Sequence, residues 1–129
     1  MADLAPEVRA LITEHISSVA QLEALLLLRH ADRWWTAAAL SMELRADRGW
    51  LTGVLTDLCA RGFCEQYSDA IPQFRFQPRT SELEKTITAL AQDYLVYRMR
   101  VTELIYSKPS DAIRAFAQAF DLRKGGRHV

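Results

Sequence analysis

Cys59 and Cys64 are the two thiols of the chain, and they stand too far apart for a Cys-x-x-Cys redox or zinc motif. His15, His30 and His128 are scattered and cannot complete a zinc site with them. The thiols read as reduced cysteines packed like small hydrophobes, with a redox-sensing thiol as the sharper alternative. The sequence contains no Gly-rich phosphate loop, nucleophile elbow or paired metal-ligand motif. It therefore predicts no enzyme, no bound metal and no cofactor. A different chemistry is open to Trp34, Trp35, Trp50, Tyr94 and Tyr97, whose flat rings could wall a pocket for an apolar effector. Aromatic residues at helical spacing serve the core more often.

Composition bounds what can position such groups. The chain has 129 residues, and 16 Lys and Arg balance 16 Asp and Glu. Half the residues are hydrophobic, so a single folded domain is expected over 1–129 rather than a disordered chain. The longest apolar run, Ala24 to Leu28, is five residues, far short of the roughly 20 needed to span a bilayer. The opening Met1-Ala2-Asp3-Leu4 lacks a basic stretch before an apolar one, and a cytoplasmic location with no membrane partner is the expectation.

Hydrophobic spacing lays out the elements. Leu4, Val8, Leu11, Ile12 and Ile16 form one helical stripe, with Pro6 in the first turn, where a missing N–H does no harm. Ser18 with Gln21 forms a capping box opening a helix that is apolar almost all round, which places it at the centre of the fold. Thr36 is an N-cap for an alanine-rich helix from Ala37 to Leu44. Asp47 caps a helix from Arg48 to Arg61, whose inward face is Leu51, Val54, Leu55 and Leu58 and which Gly62 ends. Phe63–Tyr67 and Phe74–Phe76 alternate as the strands of a hairpin. A second capping box, Ser81 with Glu84, opens a long helix reaching about Tyr106. Its apolar residues Leu83, Ile87, Leu90, Tyr94, Tyr97, Val101 and Leu104 step by 4, 3, 4, 3, 4 and 3. A last helix from about Ser110 to Leu122 carries Ile113, Phe116, Ala117 and Phe120 on one face.

Three helices, a hairpin and a long helix is the order of a winged helix-turn-helix. Leu22 to Leu28 matches its first core helix, Trp35-Thr36 its short strand, Leu40 and Leu44 its second helix. Leu51-x3-Leu55-x2-Leu58-x3-Gly62-Phe63 matches its third helix and exit. The run from Leu58 to Cys64 resembles the exit shared by MarR-type and PadR-type regulators. Tyr106 to Arg114 is similar to the ending of a small group of uncharacterised bacterial winged-helix proteins. The likeness covers 18–79 as the winged-helix core and leaves 80–122 for C-terminal helices. It implies a mainly α fold with a β-hairpin wing and a DNA-binding transcriptional regulator acting as a homodimer. Carried across, the third helix presents Arg48, Gly49, Thr52, Gly53 and Thr56 outward, and the wing spans Ser68 to Arg75. Arg48 would read a guanine edge, and Thr52 and Thr56 would hold phosphate or a thymine methyl. Arg45, Arg75 and Arg79 would complete the DNA-binding set.

Charge arithmetic bears on that reading. From Arg29 to Arg79 there are seven Arg and six acidic residues, a weak basic excess for a binder of phosphates. Asp57 on the reading helix and Asp69 at the wing tip point the same way, unless Arg33, Arg45, Arg48, Arg75 and Arg79 share one face. The alternative is a winged-helix interaction module that has lost its basic face. It would bind a protein partner through Trp50, through close approach at Gly49 and Gly53, or through the last helix with Phe116 and Phe120. The heptad stripe from Leu83 to Leu104 reads as a dimerisation seam, or as packing on the chain's own core.

Overall fold

In the computed structural model, which describes residues 4–107, most helices start where a side chain replaces a missing backbone acceptor. Helix α1 (Pro6–His15) begins with its proline in the first turn. Ser18 Oγ accepts from Gln21 N–H at 3.0 Å and opens α2 (Val19–His30). The reciprocal half of the capping box falls one residue early, because Gln21 Oε1 accepts from Ser17 N–H at 2.7 Å. Thr36 caps α3 (Ala37–Leu44) through Ala39 N–H, and Asp47 caps α4 (Arg48–Ala60) through Trp50 N–H at 2.8 Å. Three strands, β1 (Trp35–Thr36), β2 (Cys64–Tyr67) and β3 (Gln73–Phe76), form an antiparallel sheet in the order β1-β3-β2. Cys64 pairs with Phe76 and Glu65 with Arg75, so the alternation buries Phe74 and Phe76.

The turn between α3 and α4 is three residues long and tightly specified. Arg45 takes the left-handed conformation (φ 53°), and its N–H and that of Ala46 both go to Ser41 O. Asp47 then restarts the chain as a helix. Asp47→Ala should cost about 1 kcal/mol, read as a lower urea midpoint with an unchanged slope. At the other end of α4, Gly62 has φ 86°, and a Cβ there would lie 2.8 Å from Arg79 Nε. The conformation requires glycine, and an added Cβ would also push the Arg79 side chain aside.

Helix α2 sits at the centre, as its apolar circumference predicted, with Leu22, Ala24, Leu25 and Leu28 fully buried. Around it close Ile12 and Ile16, Leu40 of α3, Leu51, Leu55 and Leu58 of α4, and Phe63 and Phe74.

Two expectations for the C-terminal region need correcting. The N-cap is Thr80, whose Oγ1 accepts from Leu83 N–H, so Ser81 is already helical. The long helix is not continuous. It breaks at Tyr97 (φ −118°, ψ 44°) into α5 (Ser81–Val96) and α6 (Arg98–Tyr106). No proline or glycine causes the bend; packing does. A straight 26-residue rod would run about 39 Å, beyond the small core. The bend brings Val101 and Ile105 of α6 back against α1, which also receives Ile87, Leu90 and Tyr94 of α5. Among the described residues no single helix is long and apolar enough to cross a membrane. The last predicted helix, with Phe116 and Phe120, lies outside the described residues.

Candidate nucleic-acid interface

Leu51, Leu55 and Leu58 commit one side of α4 to the core and thereby fix what the rest of the helix presents. Arg48, Gly49, Thr52, Gly53 and Thr56 are all exposed, as expected. By helical spacing Arg48 and Thr52 form one flank, Gly49, Gly53 and Ala60 the outermost ridge, and Trp50 with Asp57 the other flank. A Cβ added to Gly53 would meet nothing within 4 Å, so the ridge is bare backbone open to an approaching surface. Thr52 Oγ1 donates to Arg48 O and Thr56 Oγ1 to Thr52 O, both at 2.9 Å. These hydroxyl protons are engaged with the helix, and a phosphate contact requires them to rotate away.

The arginines of the expected DNA-binding set come from several elements and differ in how free their charges are. Arg48 opens α4 and Arg45 sits in the preceding turn, both exposed and without a side-chain partner among the described residues. Arg75 lies on β3 and pairs with Asp32 at 3.1 Å, so part of its charge is spent. Arg79 lies at the base of the wing, its side chain over Gly62. Arg33 stacks its guanidinium 3.6 Å from the Trp35 ring centroid. Asp57 is paired with Arg61 at 2.8 Å, and Arg61 also reaches Glu14 O and His15 Nδ1. That clasp pins the end of α4 to α1. The composition of the face is mixed rather than strongly basic.

Two surface grooves of about 390 Å³ each flank α4. The first lies between the start of α3, the Arg48–Thr52 flank and the wing tip, where Ile71 and Pro72 fold over. Sequence reasoning passed over these two residues; an apolar pair in an otherwise polar tip was the available signal. The second groove is lined by Ser17, Ser18, Gln21, Trp50, Gly53, Val54 and Asp57, with Trp50 43% exposed at its edge. Among the described residues the five aromatic residues stand in separate places. Trp35 is in the core with its Nε1 donating to Ala31 O, and Trp34 packs edge-on to Tyr67. Tyr94 and Tyr97 sit at the α5–α6 bend, and of the five only Trp50 lines either groove.

The thiols are held protonated. Burial, and then the carboxylate of Glu65, pushes Cys59 up to about 11; burial, and then the neighbouring Cys59, raises Cys64 further. A rise of that size leaves about a hundredfold less Cys59 thiolate near neutral pH than a free thiol has. Disulfide reagents at pH 8 should therefore label the folded protein slowly and the urea-unfolded protein at once. Because the folded-state values are raised, the associated stability is present below about pH 9 and fades as pH rises toward 11.

The heptad stripe also finds its place. Ile87, Leu90 and Val101 are fully buried within the chain, Tyr94 nearly so, and Leu83, Tyr97 and Leu104 are half-buried against the same core. Packing on the chain's own core, the second reading of the 3.5-residue spacing, is what their burial supports. The same helices expose a different apolar surface, with Leu95 84% and Met99 75% accessible and Val96 between them in sequence.

No family model and no curated protein matches the chain. Solved structures do. The MarR-family transcriptional regulator Sco5413 from Streptomyces coelicolor superposes at a TM-score of 0.55 with 17% identity, over 95% of this chain and 84% of that one. MarR from E. coli in its apo form gives a TM-score of 0.50 and 21% identity, over 89% and 87%. The homodimeric winged helix-turn-helix DNA-binding domain of Mb0332 from Mycobacterium bovis gives 0.50 and 15%, over 74% and 94%. The fold is a MarR-like winged helix-turn-helix: mainly α, with a β wing.

Proposed function

We propose that the chain is a DNA-binding transcriptional regulator acting as a homodimer, with α4 in the major groove and the wing alongside it. The observation that carries this reading is an exposed α4 whose first residue, Arg48, stands beside the wing tip with a guanidinium that has no partner among the described residues. Transcriptional regulators share the fold, and one of them is a homodimeric DNA-binding domain. Such a role belongs in the cytoplasm of a bacterial cell. Arg45, Arg48 and Arg79 offer three cations per protomer that are unpaired among the described residues; six in a dimer give a salt slope of about −5. Fluorescence anisotropy with a random-centre duplex at low salt should show saturable binding that weakens along that slope. A flat response at the lowest salt would remove the reading.

The partner surface for self-association is assigned to Leu95, Val96 and Met99 rather than to the buried stripe, since a neighbouring copy can cover only what the protomer leaves open. The second reading, a protein-binding module, is favoured by half-exposed Trp50 beside the open groove at Gly53. Under it Trp50→Ser would abolish partner capture, and DNA would not be bound at all.

A further inference from the structure

The bare ridge of α4 leaves its flank to do the reading, and that flank borders an apolar concavity. We infer that the groove between α3, α4 and the wing tip receives a thymine methyl group beside a guanine held by Arg48, so that the protein selects a thymine–guanine step in duplex DNA. This rests on the DNA-binding reading above and goes beyond it by naming the base step and the residues that choose it.

The walls are Ala37 and Ala38 of α3, Ile71 and Pro72 of the wing tip, and Phe74 of β3 beneath them; Arg48 and Thr52 stand on the α4 side. On the major-groove edge of B-DNA the base pairs display donors and acceptors and a single apolar group, the thymine 5-methyl. An apolar concavity on the reading side of a recognition helix therefore has one kind of base edge to recognise. The neighbouring guanidinium has its own preferred partner, O6 and N7 of guanine, and Arg48 has no competing contact among the described residues. Gly49, next to Arg48 in α4, carries no side chain that would hold the groove away from the bases. The wing tip fits the same purpose. Residues Ser68 to Pro72 contain no Lys or Arg and include Asp69, so phosphate attraction does not explain the tip. Ile71, 63% exposed, holds an apolar side chain over the groove instead.

The test uses the intact protein and a duplex library with a randomised centre. Bound duplexes are enriched at low salt, sequenced, and resynthesised with uracil in place of thymine, which deletes the methyl group and nothing else. Enriched sequences should share a thymine–guanine step, and uracil should weaken binding about fourfold per half-site, the factor for one buried methyl group. Ile71→Ser should bind the thymine and uracil duplexes equally, with its circular dichroism and salt slope unchanged. Enrichment without such a step, or equal binding of the two duplexes by the wild-type protein, overturns the inference and leaves DNA binding standing. Failure to retain any duplex at low salt overturns the regulator reading itself, and this inference falls with it.

Discussion

Val101→Asp is expected to unfold the protein, whereas Leu95→Asp combined with Met99→Asp should leave it folded and halve its particle mass. Both changes place carboxylates on the α5–α6 unit, and they differ in what the side chain meets. Val101 is fully buried against α1 and α5. Removing its packing costs about 2 kcal/mol, and a carboxyl group confined there without a partner adds several more. A total of about 5 kcal/mol reaches the lower end of a whole domain's stability. Leu95 and Met99 are mostly in solvent, and surface substitutions of that kind change stability by about 0.5 kcal/mol or less. Their effect belongs to the proposed dimer, where two added charges per protomer would repel across the contact. Urea titration of each variant and light scattering on a sizing column check both halves. A dimeric, folded Leu95→Asp, Met99→Asp protein would place the self-association surface elsewhere.

The contrast also shows how far a periodic stripe can be read. Residues from Leu83 to Leu104 repeat every 3.5 positions in the sequence, and a straight coiled-coil helix satisfies such a repeat. Two short helices meeting at a bend satisfy it equally well, because α5 holds only Leu83, Ile87, Leu90 and Tyr94 of the stripe and α6 only Val101 and Leu104. Nothing local marks Tyr97 as the break; it follows from the size of the core and the position of α1. Where the cause is local, the sequence was transparent. Ser18, Thr36 and Asp47 each cap the helix that follows, since a side-chain oxygen placed before an apolar run has few other uses. Gly62 is left-handed as its position after Leu58 and Arg61 implied, and the alternation through Phe74 and Phe76 gave the wing its buried face.

The candidate interface was legible in part, for the same reason. The exposed flank of α4 follows from where Leu51, Leu55 and Leu58 point, so Arg48, Thr52 and Thr56 could be placed from spacing and fold resemblance. The arginines on other elements could not. Whether Arg75 is free depends on Asp32, 43 residues earlier, and whether Arg79 reaches the tip or the base depends on the β2–β3 register. Long-range pairings of this kind leave no periodic trace. The groove under Ile71 and Pro72 is assembled from three elements and is equally silent in the sequence.

Placement on α4 leads to the second large effect, a pair of substitutions that should move DNA affinity in opposite directions. Arg48→Ala should weaken binding by about 1–3 kcal/mol, roughly five- to 150-fold, by removing a guanidinium that has no partner to lose among the described residues. Gly53→Arg places a new cation on the bare ridge of the same helix. The site has room, since a Cβ there meets nothing within 4 Å, and an interior glycine replaced by arginine raises helix propensity by up to about 1 kcal/mol. The variant should therefore fold at least as well as the parent. Its affinity for random duplex should rise at low salt, and its salt slope should steepen by about 1 per protomer. Opposite shifts of the two variants, measured by anisotropy across a salt series, require the α4 face to lie against the duplex. If both variants bound like the parent, DNA would be contacted by another surface. If Gly53→Arg lost binding while Arg48→Ala kept it, the ridge would be a site of close backbone approach in which no side chain is tolerated, and a protein partner at Trp50 would become the better account.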